Sequence, residues 1–151
     1  MATVIERLTE LLPGGLDALL AESEQAGSRI VRRLVEEWAT RANRFDRPGE
    51  ALFIARIGGQ IVGVCGLNLD PYVAEQGVGR VRHLYVMSTH RRFGVGRQLI
   101  EAVFAASRGR FNTLRLRTAN PEAARLYESF GFRPSAETAD CTHVMDLPRT
   151  T

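Results

Sequence analysis

The stretch His90-Arg91-Arg92-Phe93-Gly94-Val95-Gly96-Arg97 has the densest chemical potential in the chain. It follows an apolar, β-branched run and leads into a helical pattern. The first turn of a helix has unpaired N–H groups and the positive end of the helix dipole, so it attracts an anion. Glycines there let the backbone approach that anion closely. Arg91, Arg92 and Arg97 add charge, and a phosphate or pyrophosphate is the natural guest. An ordinary strand-to-helix turn with a solvated arginine face has the same local pattern. Two phosphate motifs are excluded. A dinucleotide fingerprint needs a third glycine where Leu99 stands, and a Walker loop needs a lysine.

No lysine exists anywhere in the chain; all 20 of its Lys+Arg residues are Arg. Schiff-base chemistry on a side chain is therefore excluded. Among basic side chains only His83, His90 and His143 titrate near neutrality. These three have no ligand spacing, and Cys65 and Cys141 match no metal or redox pattern, so no metal site is expected.

The elements that must position these groups follow from length and pattern. A chain of 151 residues, 44% hydrophobic and 25% charged, fits a single domain over 1–151. Leu52 to Ile57 and Ile61 to Leu67, split by Gly58-Gly59-Gln60, predict a hairpin. Val81 to Met87 predicts a third strand, and Thr113 to Thr118 alternates as a fourth. Val4 to Leu12 and Thr142 to Leu147 complete the strands. Helices are expected over Leu16–Ala26, from an N-cap at Ser28 to near Asn43, from Gly96 to Arg108, and from an N-cap at Asn120 to Gly131. The order implies an α+β fold, a mixed and mostly antiparallel central sheet flanked by helices.

Other classes are disfavoured. A net charge of +3 is too small to imply nucleic acid, and no basic stripe carries interleaved aromatics. No segment approaches membrane-spanning length, and the first residues lack a signal peptide's apolar run. Two cysteines in this length suggest reduced thiols and a cytoplasmic location.

The pairing of Arg91-x-x-Gly94-x-Gly96 after Leu84-Tyr85-Val86 with Asn120-Pro-Glu-Ala-Ala-Arg-Leu-Tyr127-Glu-Ser-Phe-Gly131-Phe132 resembles the GNAT N-acetyltransferase superfamily, most closely over residues 50–135. The resemblance implies acetyl-CoA as donor and a primary amine as acceptor. It implies that Arg91, Arg92, Phe93, Gly94, Val95, Gly96 and Arg97 hold the coenzyme A pyrophosphate. Leu84, Tyr85 and Val86 would line the pantetheine arm, and a backbone N–H near Val86 would polarise the thioester carbonyl. Asn120 would contact the cofactor besides capping its helix. Tyr127 would be the general acid; its packing on an apolar stripe also allows a core aromatic. A homodimer is left open. A non-catalytic acyl-CoA-binding domain on the same fold is the alternative, because many family members carry a Glu where Arg80 stands.

That substitution leaves the general base open. His83 has a suitable pKa class, but strand alternation turns it away from Arg80's face unless a bulge intervenes. Tyr85, Glu75 and a water chain are the other routes. If Arg80 and Arg82 face the acceptor cleft, they suit an acceptor with a carboxylate or phosphate. Trp38 lies on an apolar stripe and is expected in the core.

Overall fold

The structure, a computed structural model, describes residues 2–148. Its elements run β1 (Thr3–Arg7), α1 (Asp17–Gln25), α2 (Ile30–Ala39), β2 (Ala51–Ile57), β3 (Gln60–Leu69), β4 (Val78–Val86), α3 (Val95–Ser107), β5 (Thr113–Leu116), α4 (Pro121–Ser129), β6 (Arg133–Pro134) and β7 (His143–Asp146). Seven strands form one sheet in the order β1-β2-β3-β4-β5-β7-β6. Only β4 and β5 are parallel neighbours; the other pairs are antiparallel. A parallel contact needs a crossover, and α3 lies between those two strands in the chain.

Local chemistry explains most of these elements. Gly58 and Gly59 both have positive φ (60° and 83°), as a two-residue hairpin turn demands, so Ile57 pairs directly with Gln60. On α2, Val31, Leu34 and Trp38 are buried at helical spacing. The helix begins two residues after Ser28, whose hydroxyl accepts from the Ile30 N–H at 3.2 Å. It stops at Ala39, short of Asn43, and Arg41 at φ 66° bars its continuation. Asn120 accepts from the N–H groups of Glu122 and Ala123, with Pro121 in the first turn, so α4 starts where its residues require. β1 ends at Arg7 rather than Leu12, and β4 begins at Val78, three residues before the apolar run. There the pairing of Val78, Gly79 and Arg80 with Thr113, Leu114 and Arg115 extends the strand beyond its own hydrophobic signal.

The core lies on both faces of the central strands. Leu52, Ile54, Val62, Val64, Leu67, Leu99, Ile100 and Leu114 are fully buried. Gly63 packs under Val95 and Leu99 of α3, whereas Gly66 packs under the Phe45 ring. A side chain at Gly66 would force the Phe45 ring to shift, and one at Gly63 would be tightly squeezed against α3.

Candidate active site

β4 is irregular where the chemistry is expected. Gly66 pairs with Arg82 and Val64 with Tyr85, so Cys65 alone faces both His83 and Leu84. This is a β-bulge, and His83 sits in the left-handed region at φ 61°. A non-glycine residue there is strained, and such strain gathers at functional sites. The bulge resets the alternation, bringing His83 to the same cleft as Arg80.

A second irregularity opens the sheet. β4 pairs with β5 only through Arg80, while β4 itself runs on to Val86. Beyond Arg80 the two strands part. The Met87 N–H donates to the Val62 carbonyl on β3 at 2.8 Å. Alternation therefore turns the Val86 N–H and carbonyl the other way, into the gap. The Arg91 guanidinium donates to that carbonyl at 3.0 Å, leaving the Val86 N–H directed at the gap.

The glycine turn closes one end. Gly94 is the N-cap of α3 at φ 79°, a conformation that a side chain would strain. Its neighbours Arg91, Arg92, Phe93 and Arg97 are exposed, and Phe93 is 72% exposed. Val95 is buried, and Gly96 lies against Leu126 of α4. The Arg97 guanidinium lies over the Phe130 ring and donates to Ser129 at 3.2 Å. Asn120 is exposed, with its side-chain oxygen occupied by the helix N-terminus.

Tyr127 lies at the bottom of a cleft of about 280 Å³, with Leu84, His83 and Ala123 also in its walls. Its ring packs edge-on against Phe132 at 5.5 Å. Burial pushes the phenol well above its ordinary value, and the nearby Cys65 thiol adds to this. Burial likewise pushes the Cys65 thiol up to about 12, so it stays protonated.

The expected roles of the other residues sort themselves by partner. Leu84 lines the cleft, but Tyr85 turns its side chain to the opposite side and donates to the Glu22 carboxylate of α1. Burial and that carboxylate hold its phenol up at about 12, so it does not serve as a base. Glu75 sits exposed in the 71–77 loop, outside the cleft wall. Trp38 is core, as its stripe requires.

Arg80 is not free. Its guanidinium donates to Asp70 at 3.2 Å and to the Asp140 carbonyl at 2.6 Å, and lies over Tyr72. Arg115, its direct partner across the parallel pair, donates to the same Asp70 oxygen at 3.0 Å and to Asp140 at 2.9 Å. Two like charges side by side are thus held by carboxylates from two loops, at the point where the strands part. Arg82 is shared with Glu37 at 3.4 Å.

His83 and Glu37 could not be connected from sequence. The His83 Nε2 and a Glu37 carboxylate oxygen lie 3.6 Å apart, and both atoms are buried without a hydrogen bond among the described residues. Burial, then Arg82 and Arg33, lower the imidazole to about 3, so it is neutral in the free protein. The folded pKa is below the unfolded value, so the unfolded chain takes up a proton first. His83's stabilising contribution is complete above about pH 6.5 and is lost as pH falls toward 3. We expect the melting temperature to fall between pH 6.5 and 4, and His83→Gln to flatten that slope. A slope unchanged in His83→Gln would contradict the burial of a neutral imidazole.

Comparison with known proteins agrees with this geometry. Residues 48–134, more than half of the chain, match the family model for the acetyltransferase (GNAT) domain. A crystal structure assigned as an acetyltransferase from Exiguobacterium sp. 255-15 is 27% identical, with 97% of this chain and 94% of that chain covered and a TM-score of 0.85. Two others share the fold at 19% identity. Ard1 from Thermoplasma volcanium covers 99% and 100% of the two chains at a TM-score of 0.70. The ribosomal-protein-alanine N-acetyltransferase from Brucella melitensis covers 95% and 99% at 0.69. With its sheet parting beyond Arg80, its glycine turn at the head of α3 and its matched sequence model, the chain belongs to the GNAT acetyltransferase family.

Proposed function

We propose that the protein is an acetyl-CoA-dependent N-acetyltransferase acting by direct transfer to a primary amine. The observation that carries this is the placement of Tyr127 in the cleft beside Leu84, next to the gap into which the Val86 N–H points. Acetyl-CoA would enter the gap with its pyrophosphate on the 91–97 turn and its pantetheine along Leu84 and Val86. No metal is needed for this chemistry, and no group of potential ligands gathers among the described residues.

The amine nitrogen attacks the thioester carbonyl carbon, and the Val86 N–H stabilises the resulting oxyanion. The C–S bond then breaks, and Tyr127 gives its proton to the leaving thiolate. The proton lost by the new amide nitrogen returns through water to the tyrosinate, so the sum is amide plus free thiol. Attack requires the neutral amine. The arginines around the cleft disfavour a bound ammonium ion and so lower the amine's pKa. His83 contributes as a proton acceptor only if the adjacent Glu37 carboxylate stabilises the imidazolium against burial.

The assay is thiol release from acetyl-CoA across a panel of primary amines, with the amide identified by mass. Thiol release that depends on the amine, with one acetyl group added, is the expected outcome. Tight acetyl-CoA binding with no acetylated product from any amine would instead mark a non-catalytic binding domain.

A further inference from the structure

The cleft at Tyr127 is lined by five arginines and by no carboxylate: Arg29, Arg33, Arg80, Arg82 and Arg117. They come from three separate parts of the chain. Arg29 and Arg33 stand one turn apart at the start of α2, Arg80 and Arg82 are on β4, and Arg117 follows β5. Arg80 and Arg82 are spoken for by Asp70 and Glu37. Arg29, Arg33 and Arg117 have no carboxylate within ion-pair distance among the described residues.

An arginine-rich composition alone does not produce this. A second cleft of the same volume, on the other side of Arg82, mixes its arginines with Glu37, Asp46 and Glu50. Cationic groups gathered on one concavity repel each other, and an anion relieves that repulsion. Planar guanidiniums match a carboxylate or phosphate through paired hydrogen bonds. The coenzyme's own phosphates do not explain them, since no residue of the 91–97 turn lines this cleft. Besides burial, Arg82 and Arg33 lower the His83 imidazole in the cleft wall.

We infer that the acceptor is a small amine carrying a carboxylate or phosphate, with its anionic end held by Arg29, Arg33 and Arg117 and its nitrogen toward Tyr127. This rests on the acetyl-transfer reading for the fate of the nitrogen, but not for the binding of the anion. A cleft of about 280 Å³ suits a small molecule better than a folded protein surface. The free guanidiniums select against polyamines, and the charged tail gives purchase to an amine that must bind without its proton.

The test uses three primary amines on the same two-carbon stem: O-phosphoethanolamine, β-alanine and ethanolamine. Calorimetric titration of the protein with each is expected to show at least tenfold tighter binding of an anionic amine than of ethanolamine. The phosphate and carboxylate arms identify which anion is preferred. Arg33→Gln and Arg117→Gln should each weaken that binding about tenfold, with acetyl-CoA affinity unchanged. In turnover the same variants should raise the acceptor KM with little change in kcat. Equal binding of the neutral and anionic amines, or acetyl-CoA affinity falling in step, would overturn the assignment. So would a clear preference for a neutral or basic peptide N-terminus over all small anionic amines. Anionic amines that bind through Arg33 and Arg117 but are never acetylated would uphold the cleft and refute the transferase.

Discussion

Tyr127→Phe should lower kcat about a hundredfold, the scale of a lost general acid, while acetyl-CoA affinity stays within about twofold of the parent. The physical case is one of separation. The Tyr127 ring contributes packing against Phe132, and phenylalanine keeps that packing. Burial, then Cys65, raises the phenol, and no hydrogen-bond partner is among the causes. Removing it therefore leaves the melting temperature unchanged or slightly higher. The high pKa also means the proton is present throughout the usable range. The parent's rate should then rise with pH as the amine loses its proton and hold a plateau, without a falling limb below about pH 10. A Tyr127→Phe enzyme of full kcat would remove Tyr127 from the chemistry and leave it a core aromatic.

The largest effect on stability is expected at Asp70. Its side chain is entirely buried, and one of its oxygens receives both Arg80 and Arg115. Its other oxygen accepts from the Tyr72 N–H at 2.8 Å and turns the loop after β3. Asp70→Ala strands two guanidiniums, with Asp140 as their one remaining carboxylate and Thr138 as a further acceptor for Arg115. Breaking a buried pair of this kind costs about 3–5 kcal/mol. For a domain of this size that is a fall in melting temperature of roughly 10 °C. Adding Arg80→Met to Asp70→Ala should recover part of the loss, because it removes one stranded charge and keeps much of the volume. If the double variant is less stable than the single by the full cost of a second core truncation, the effect is packing and not charge. A single variant that melts within about 2 °C of the parent would show that solvent reaches both arginines.

The two variants divide the protein's vulnerabilities. Asp70 and its partners fasten β4 to β5 at the last paired residues, Arg80 and Arg115. Tyr127, the acid of the proposed reaction, lies in the cleft beside Leu84, past the last paired residues. The position where the family resemblance implies a carboxylate base is thus occupied here by an arginine with a structural task. An amine held in a cationic cleft depends less on such a carboxylate, because its proton is already disfavoured.

Much of this was legible along the chain, wherever a feature depends on neighbours a few residues apart. The Gly58-Gly59 hairpin, the Asn120-Pro121 helix start and the Gly94 turn are each enforced by backbone geometry within one turn. The apolar stripe of α2 placed its buried face for the same reason. β5 did not follow its alternation in burial: it ends at Leu116 rather than Thr118, and Arg115 is buried along with Leu114 and Leu116, because Asp70 and Asp140 cover it. The features that decide the site's chemistry are of another kind. The side His83 faces depends on a bulge, and a bulge is set by the register of β3 against β4. Whether Arg80 and Arg82 are free to bind an anion is open along the chain, because their carboxylates lie 10 and 45 residues away. Tyr85 is taken out of the cleft by Glu22, 63 residues earlier. The arginines left free, Arg29, Arg33 and Arg117, come from a helix and a strand end that carry no motif. Backbone conformation is chosen locally, so residue type and spacing reveal it. Whether a charge is spent or available is a matter of which distant chain segments fold against it, and only the tertiary structure brings those segments together.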